Sequence, residues 1–321
     1  MVTGATLRVA FFGTPAFAVP TLDALLSSHH VVVGVVTQPD RPRGRGQKLT
    51  YAPVKARAVG AGLPVLQPER LRDEEFLASF TSWQADVAVV AAYGKILGDA
   101  LLALPRLGMI NVHASLLPRY RGAAPVHRAV IAGERETGVT IMRIVKALDA
   151  GPMLATARKQ IGHDETSDEV ERDLARLGAA LLVEVVDRMA REPVIGTVQD
   201  DAQATYAPRL TKHEGAIDWM APAERIHNMV RGLHPWPHAY TFHDGRRLIV
   251  RRTSTSAGSP GIARAAEPGT IVLAAEDDLL VQTGTGLLRI VEIQAEGKRP
   301  MAVREFLAGH RLLPGAAFSA R

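Results

Sequence analysis

Cysteine is absent from all 321 residues, which removes disulfides, thiolate nucleophiles and cysteine-ligated zinc at once. No apolar run approaches the roughly 20 residues a membrane helix needs. The opening Met1-Val2-Thr3-Gly4-Ala5-Thr6 carries no basic n-region and leads straight into a strand. No G-x-G-x-x-G follows that first strand, which argues against a nicotinamide-dependent dehydrogenase. No internal repeat is visible either. The expectation is a soluble, cytoplasmic protein with no membrane partner. Its apolar content of 47% is enough for real cores, and its length predicts two domains.

The formal net charge is +5, and it is unevenly placed. After Pro208 there are 15 basic residues against 11 acidic ones, so the carboxyl-terminal part holds most of the excess. A mild excess of this kind suits an anionic partner without specifying one.

Strands are expected at 7–12, 31–37, 86–92, 139–145 and 154–161, with helices at 52–60, 73–80 and 125–132 between them. Thr14 is the expected cap and Pro15 the first residue of the helix after the first strand. Alternating strands and helices of this length predict an α/β, doubly wound sheet. Thr166 and Glu169 have capping-box spacing. The helix they open carries Val170, Leu174, Leu177, Leu181, Val185 and Met189 at steps of three and four, a face for a core. Periodicity lapses from Arg191 to about Leu210, where Pro193, Gly196 and Pro208 punctuate the chain. Beyond it come a short helix near 222–233 and five short strands in about 60 residues, the pattern of a small barrel.

The chemistry concentrates in Asn111-Val112-His113-Ala114-Ser115-Leu116-Leu117-Pro118-Arg119-Tyr120-Arg121-Gly122-Ala123-Ala124-Pro125. Asn111 and His113 stand two apart, so on a strand both face the same side. An amide donor beside an imidazole is a seat for a developing oxyanion. Ser115 reads as a turn former and not as a nucleophile, and His127 has helical rather than metal-ligand spacing. The run resembles the active-site signature of the folate-dependent formyltransferases, with Ala114 standing where that signature has glycine. Leu148-Asp149-Ala150-Gly151-Pro152-Met153-Leu154 resembles the family's second signature. Read alone, Asp149 before Ala-Gly is a turn residue.

The resemblance implies a catalytic trio of Asn111, His113 and Asp149, in which Asp149 holds the imidazole and favours its charged form. It places folate against Ser115, Leu116, Leu117 and Pro118. The implied formyl donor is 10-formyltetrahydrofolate, with no metal. A second stretch, Gln38 to Leu49, carries Arg41, Arg43, Arg45 and Lys48. Its residues fit either a solvated flexible loop or a basic clamp on phosphates. In the family this loop inserts into a tRNA acceptor stem, and Gly44-Arg45-Gly46 matches its core.

Arg209, Lys212, Arg246, Arg247, Arg251, Arg252, Lys298 and Arg299 are available for a phosphate-contacting face on the barrel, Arg251 and Arg252 foremost. Trp236, between two prolines, reads as a packing residue. The reading as a whole is a Rossmann-like formyltransferase domain over 1–192, a linker over 193–210 and an OB-like β-barrel over 211–321. A monomer is expected to formylate the methionine of initiator methionyl-tRNA for translation initiation. The rival readings are a formyltransferase acting on a nucleotide-sugar amine and a non-catalytic RNA-binding protein. The basic loop and the Gly-Ala-Ala-Pro ending oppose the first. The intact Asn111, His113 and Asp149 oppose the second.

Overall fold

Short apolar strands separated by helices build the first part of the chain. The computed structural model describes residues 5–43, 48–256 and 266–319. In chain order come β1 (Arg8–Gly13), α1 (Val19–Ser27), β2 (Val31–Val36), β3 (Pro42–Arg43), β4 (Lys48–Leu49), α2 (Pro53–Gly60) and β5 (Val65–Leu66). Then follow α3 (Glu74–Ser82), β6 (Val87–Ala91), α4 (Asp99–Leu102), β7 (Met109–His113), β8 (Arg121–Gly122) and α5 (Pro125–Ile131). β9 (Glu136–Arg143), β10 (Met153–Gln160), α6 (Ser167–Met189) and β11 (Tyr206–Ala207) complete this part. The chain divides into two compact units. The first holds the chain up to Pro125, Glu136–Lys159 and Glu171–Ala207; the second holds Val126–Arg135, Gln160–Val170 and the chain from Pro208 onward.

Seven strands form the sheet of the first unit in the order β10-β9-β7-β6-β1-β2-β5. The five strands from β7 to β5 are parallel, and β9 runs antiparallel to β7. Parallel strands are covered on both faces, so β6 is buried at every position. Ala10, Phe12, Ala88, Val90 and Met109 pack on one side with Phe76 and Phe80 of α3 and Leu101 of α4. By strand alternation Asn111 and His113 share the face of Met109, while Val112 points the other way.

Val112 meets α6. A Cβ on Gly178 would come within 2.8 Å of the Val112 side chain and 3.0 Å of Val139, so glycine lets the helix close on the sheet. The expected apolar face of α6 is therefore turned slightly. Leu177 and Leu181 lie at its margin, while Leu174, Leu182 and Val185 are almost wholly buried. Half of the capping box is present: Thr166 N–H donates to the Glu169 carboxylate at 2.8 Å, while the Thr166 hydroxyl donates to Asp168 at 2.8 Å. A cap contributes about 1 kcal/mol and each buried leucine roughly 2 kcal/mol, so packing dominates. Thr14 is not a cap. Its hydroxyl accepts from Gln38 N–H at 3.2 Å, and a 3-10 turn at Ala16–Ala18 precedes α1.

The second unit contains α7 (Ala223–Gly232), β12 (Ala239–His243), β13 (Arg246–Ser256), β14 (Ile271–Ala275), β15 (Asp278–Gln282), β16 (Leu287–Ala295), β17 (Met301–Ala302) and α8 (Val303–Gly309). Its antiparallel sheet runs β12-β13-β16-β15-β14, with β17 on β16. The ends of this sheet are joined by the last described residues. Phe242 of β12 bridges Ser319, and Thr270, just before β14, bridges Ala317. This closes the expected barrel around Trp219, Ile226, Val230, Val250, Ile290 and Phe306. The apolar alternation predicts a strand from Leu248 to Arg252; β13 is longer, because register-shifted pairing to β16 carries it through Thr253-Ser254-Thr255. Trp236, expected to pack, is instead 49% exposed.

Histidines are the titratable weak points of the second unit. Burial, then Arg251 and His234, push the His238 imidazole down to about 4. Arg251 donates to His238 Nε2 at 3.0 Å, a contact open only to the neutral ring. Burial lowers His227 as well. Such groups take up protons more readily in the unfolded chain, so their contribution is complete above about pH 6.5, the unfolded value, and is lost as pH falls through the folded one. The urea midpoint is expected to drop between about pH 7.5 and 4.5. His238→Gln should flatten part of that slope; an equally steep slope in the variant would contradict the assignment.

Candidate active site

β7 ends on Asn111-Val112-His113, and this end carries the candidate chemistry. Asn111 pairs in the ladder with Val90 on one side and Met142 on the other, and His113 pairs with Thr140. The Asn111 side chain is partly exposed and makes no hydrogen bond among the described residues. Its amide is therefore free to donate. His113 is only 6% exposed, and its Nε2 lies 3.0 Å from the Tyr120 carbonyl. A carbonyl only accepts, so this contact places a proton on Nε2.

The turn after β7 is built from inside. Ser115 is fully buried, its hydroxyl donates to the Arg119 carbonyl at 2.7 Å, and its own carbonyl accepts from the buried Thr140 hydroxyl at 2.7 Å. Thr140 also accepts from Leu117 N–H at 3.2 Å. Ser115 is thus the turn former the sequence predicts and has no exposed surface for folate. Among the other residues expected to line folate, Leu116 and Pro118 are partly exposed and Leu117 is buried. Tyr120 then takes a left-handed φ of 61° and delivers Arg121-Gly122 as β8, parallel to β11.

Asp149 lies in the turn between β9 and β10, at a left-handed φ of 47°. Its Oδ2 accepts from Gly122 N–H at 2.9 Å and stands 3.8 Å from His113 Nδ1. The structure therefore joins both signatures at one place. It also corrects one detail: Asp149 does not hydrogen-bond the imidazole. The nearer oxygen is taken by the Gly122 backbone, which leaves the carboxylate at ion-pair range only. The Tyr120 carbonyl is what orients the ring. Gly122 has no substitute here, since at its φ of 121° a Cβ would fall 2.8 Å from the Ala207 carbonyl.

Three participants escaped the sequence. Arg121 is 4% exposed and donates to Gln199 and Asp201. Gln199 in turn donates to the Asp149 and Gly151 carbonyls, both at 2.8 Å. Thr140 clamps the turn. Arg121 reads in sequence as one more basic residue of the motif, and Gln199 stands in an aperiodic stretch that carries no signal of its own.

The basic stretch starts from a fixed base. Asp40 is held by Lys55 and by Gln67. The Lys55 ammonium keeps the Asp40 carboxyl below the ordinary range. Arg41 is exposed, and Arg43 pairs with Lys48 in the β3–β4 ladder. Arg45 lies outside the described residues. In the barrel, Arg252 is half-exposed, with Glu169 at 3.6 Å. Arg251 departs from expectation: its guanidinium is mostly enclosed and donates to Glu292, Gln294 and His238. Two groupings have metal-ligand proximity, His29/His30/Asp187 and His163/Asp164/His227. In each, the buried histidine has both ring nitrogens engaged, His30 with Leu7 N–H and Asp187, His227 with Thr253 and the His163 carbonyl.

The formyl transferase family model matches residues 7–186, and the model of the formyl transferase C-terminal domain matches 209–311. A methionyl-tRNA formyltransferase from Caldanaerobacter subterraneus subsp. tengcongensis is 46% identical over 310 residues, spanning 96% of this chain and 99% of that protein. One from Chloroflexus aggregans is 48% identical over 304 residues, spanning 94% and 97%. Among solved structures, the sugar 3N-formyl transferase WlaRD, studied with dTDP and 5-N-formyl-THF, superposes with a TM-score of 0.67 at 16% identity, over 92% of this chain and 100% of that one. HypX from Aquifex aeolicus, in complex with tetrahydrofolic acid, gives 0.65 at 14%, over 94% of this chain and 47% of that one. At such identities these two speak for the fold alone. No helix among the described residues is long and apolar enough to cross a membrane. The chain belongs to the formyl transferase family, among its methionyl-tRNA formyltransferases.

Proposed function

We propose that the site at the end of β7 transfers the formyl group of 10-formyltetrahydrofolate to the α-amine of methionine on initiator tRNA. The observation that carries this reading is the free Asn111 amide on the same strand face as an imidazole whose proton sits on Nε2. The neutral amine adds to the formyl carbon, a C–N bond forms, and the carbonyl oxygen takes the negative charge. Asn111 donates to that oxygen, and His113 Nε2–H is the second donor, turning to it from the Tyr120 carbonyl. The Asp149 carboxylate, 3.8 Å from Nδ1, accepts the proton the amine sheds. Collapse breaks the bond to N10 of the folate, and that nitrogen takes up the proton. The atoms balance with no covalent enzyme intermediate and no metal.

Segment 1–192 carries this chemistry, and the OB-like barrel of 211–321 grips tRNA, with 193–210 connecting them. Leu116, Leu117 and Pro118 border the folate, with Ser115 shaping the turn beneath them. Arg41, Arg43, Arg45 and Lys48 meet the phosphates of the acceptor end. Arg252 is the accessible barrel cation, backed by the enclosed Arg251. The protein acts in the cytoplasm as a monomer.

Asn111→Ala and His113→Ala are each expected to lower kcat by about a hundredfold, the usual cost of an oxyanion donor. The affinity for charged tRNA should hardly move. Near-normal turnover in either variant would remove that residue from the mechanism. Arg45→Ala should impair formylation of charged tRNA and leave folate binding intact. Arg252→Ala should weaken initiator and elongator tRNA alike and lower the slope of log affinity against log salt by about one. Equal damage to folate and tRNA use in Arg45→Ala would assign that loop to the folate side instead.

A further inference from the structure

Gln199 is 6% exposed, and its whole carboxamide is committed within the first unit. Oε1 accepts from Arg121 Nε at 3.0 Å and from Arg121 Nη2 at 2.8 Å. Nε2 donates to the carbonyls of Asp149 and Gly151, each at 2.8 Å. One side chain thus grips the turn that carries Asp149 at two of its carbonyls. The turn needs a grip, because Asp149 sits in the left-handed region. Gly151 is pressed so closely against the Arg143 carbonyl that a Cβ would lie 1.8 Å from it.

We propose that Gln199, backed by Arg121, is the positioning residue that sets where the Asp149 carboxylate stands; this rests on the catalytic role proposed above for Asp149. Asp149 is held twice. Its carboxylate takes the Gly122 N–H, and its carbonyl takes Gln199. Both ties lead back to the same two-residue strand, since Gln199 is itself held by Arg121. The strand that follows the imidazole-bearing turn therefore fixes both the direction and the depth of the acid. A guanidinium buried to this degree costs free energy unless it is fully paired. Here it is spent on Gln199 and on Asp201, 2.7 Å away. A displacement of about 1 Å in a reacting group lowers turnover by as much as a hundredfold without changing what the site binds. The expected signature is accordingly a loss in kcat that travels only through Asp149.

The test uses the full chain as Gln199→Glu, Gln199→Met, Asp149→Asn and the double variant Asp149→Asn/Gln199→Glu. Glutamate preserves the shape and the acceptor for Arg121 but turns an oxygen against the two carbonyls. Methionine removes every hydrogen bond at similar volume. Steady-state kcat and both KM values, for 10-formyltetrahydrofolate and charged initiator tRNA, are measured beside the melting temperature. Each Gln199 variant is expected to lose about tenfold or more in kcat, with both KM values within about twofold. In the Asp149→Asn background, Gln199→Glu should cost no more than about twofold further. A normal kcat in folded variants overturns the proposal, as do losses that multiply in the double variant or a loss confined to KM. Failure of both Gln199 variants to fold would overturn it too, by making the residue structural only. Full activity in Asp149→Asn alone points elsewhere, to an error in the role of Asp149 itself.

Discussion

The hydrogen bond from Gly122 N–H to the Asp149 carboxylate is the contact on which the site depends. It joins two segments 27 residues apart in sequence, one bearing the imidazole and the other the acid. The bond exists because residue 122 is glycine. Its φ of 121° and the Ala207 carbonyl beside it leave no room for a side chain. That closeness lets β11 run along β8, and β11 follows directly on the stretch holding Gln199 and Asp201. A larger residue at 122 would part the strands, withdraw the N–H from Asp149 and loosen Arg121 from its partners together.

Around this contact the fold supplies stiffness where the chemistry needs it. Asn111 and His113 sit on a strand bonded on both sides, so their directions are set by the pleat and not by loop motion. The neighbouring β9 contributes Thr140, whose hydroxyl serves both as donor and as acceptor for the turn after β7. Gly178 lets α6 close on Val112 from the opposite face. The strand is therefore clamped behind the same position at which its front face presents Asn111 and His113. The Asn111 amide makes no hydrogen bond among the described residues, whereas Ser115, Thr140 and the Gly122 N–H are all paired. A partly exposed donor on a fixed strand is placed to meet a ligand's developing charge.

The second unit follows a different rule. Its barrel is completed by Ala317 and Ser319, which bridge to Thr270 and Phe242. Trp219 stacks on Phe318 with ring centres 5.7 Å apart and donates to Thr241 at 3.0 Å. Two strands that would otherwise expose unpaired backbone edges are thereby covered. The same barrel sorts its arginines. Arg251 is bound inward to Glu292, Gln294 and His238, whereas Arg252, one position along the strand and beside a register shift, reaches half into solvent.

Much of this was legible in the residue order. The alternation of apolar strands and helices determined the doubly wound sheet, because a strand buried on both faces must be apolar throughout. The two-residue spacing of Asn111 and His113 determined that they share a face, because the pleat repeats every two residues. Five short strands with turns between them announced a barrel. The sequence was silent on whatever depends on distant segments meeting. It assigned Thr14 a cap that Gln38 removes, gave α6 a stripe that Gly178 rotates, and ended β13 early, since pairing with β16 and not its own composition carries it on. The roles of Arg121 and Gln199 were invisible for the same reason. A buried guanidinium and a carboxamide acquire meaning only through what they touch, and their partners lie about 50 to 80 positions away. Local order determined which residues could do the chemistry; the tertiary fold decided which nitrogen of His113 carries the proton, what holds Asp149, and which donor is left free.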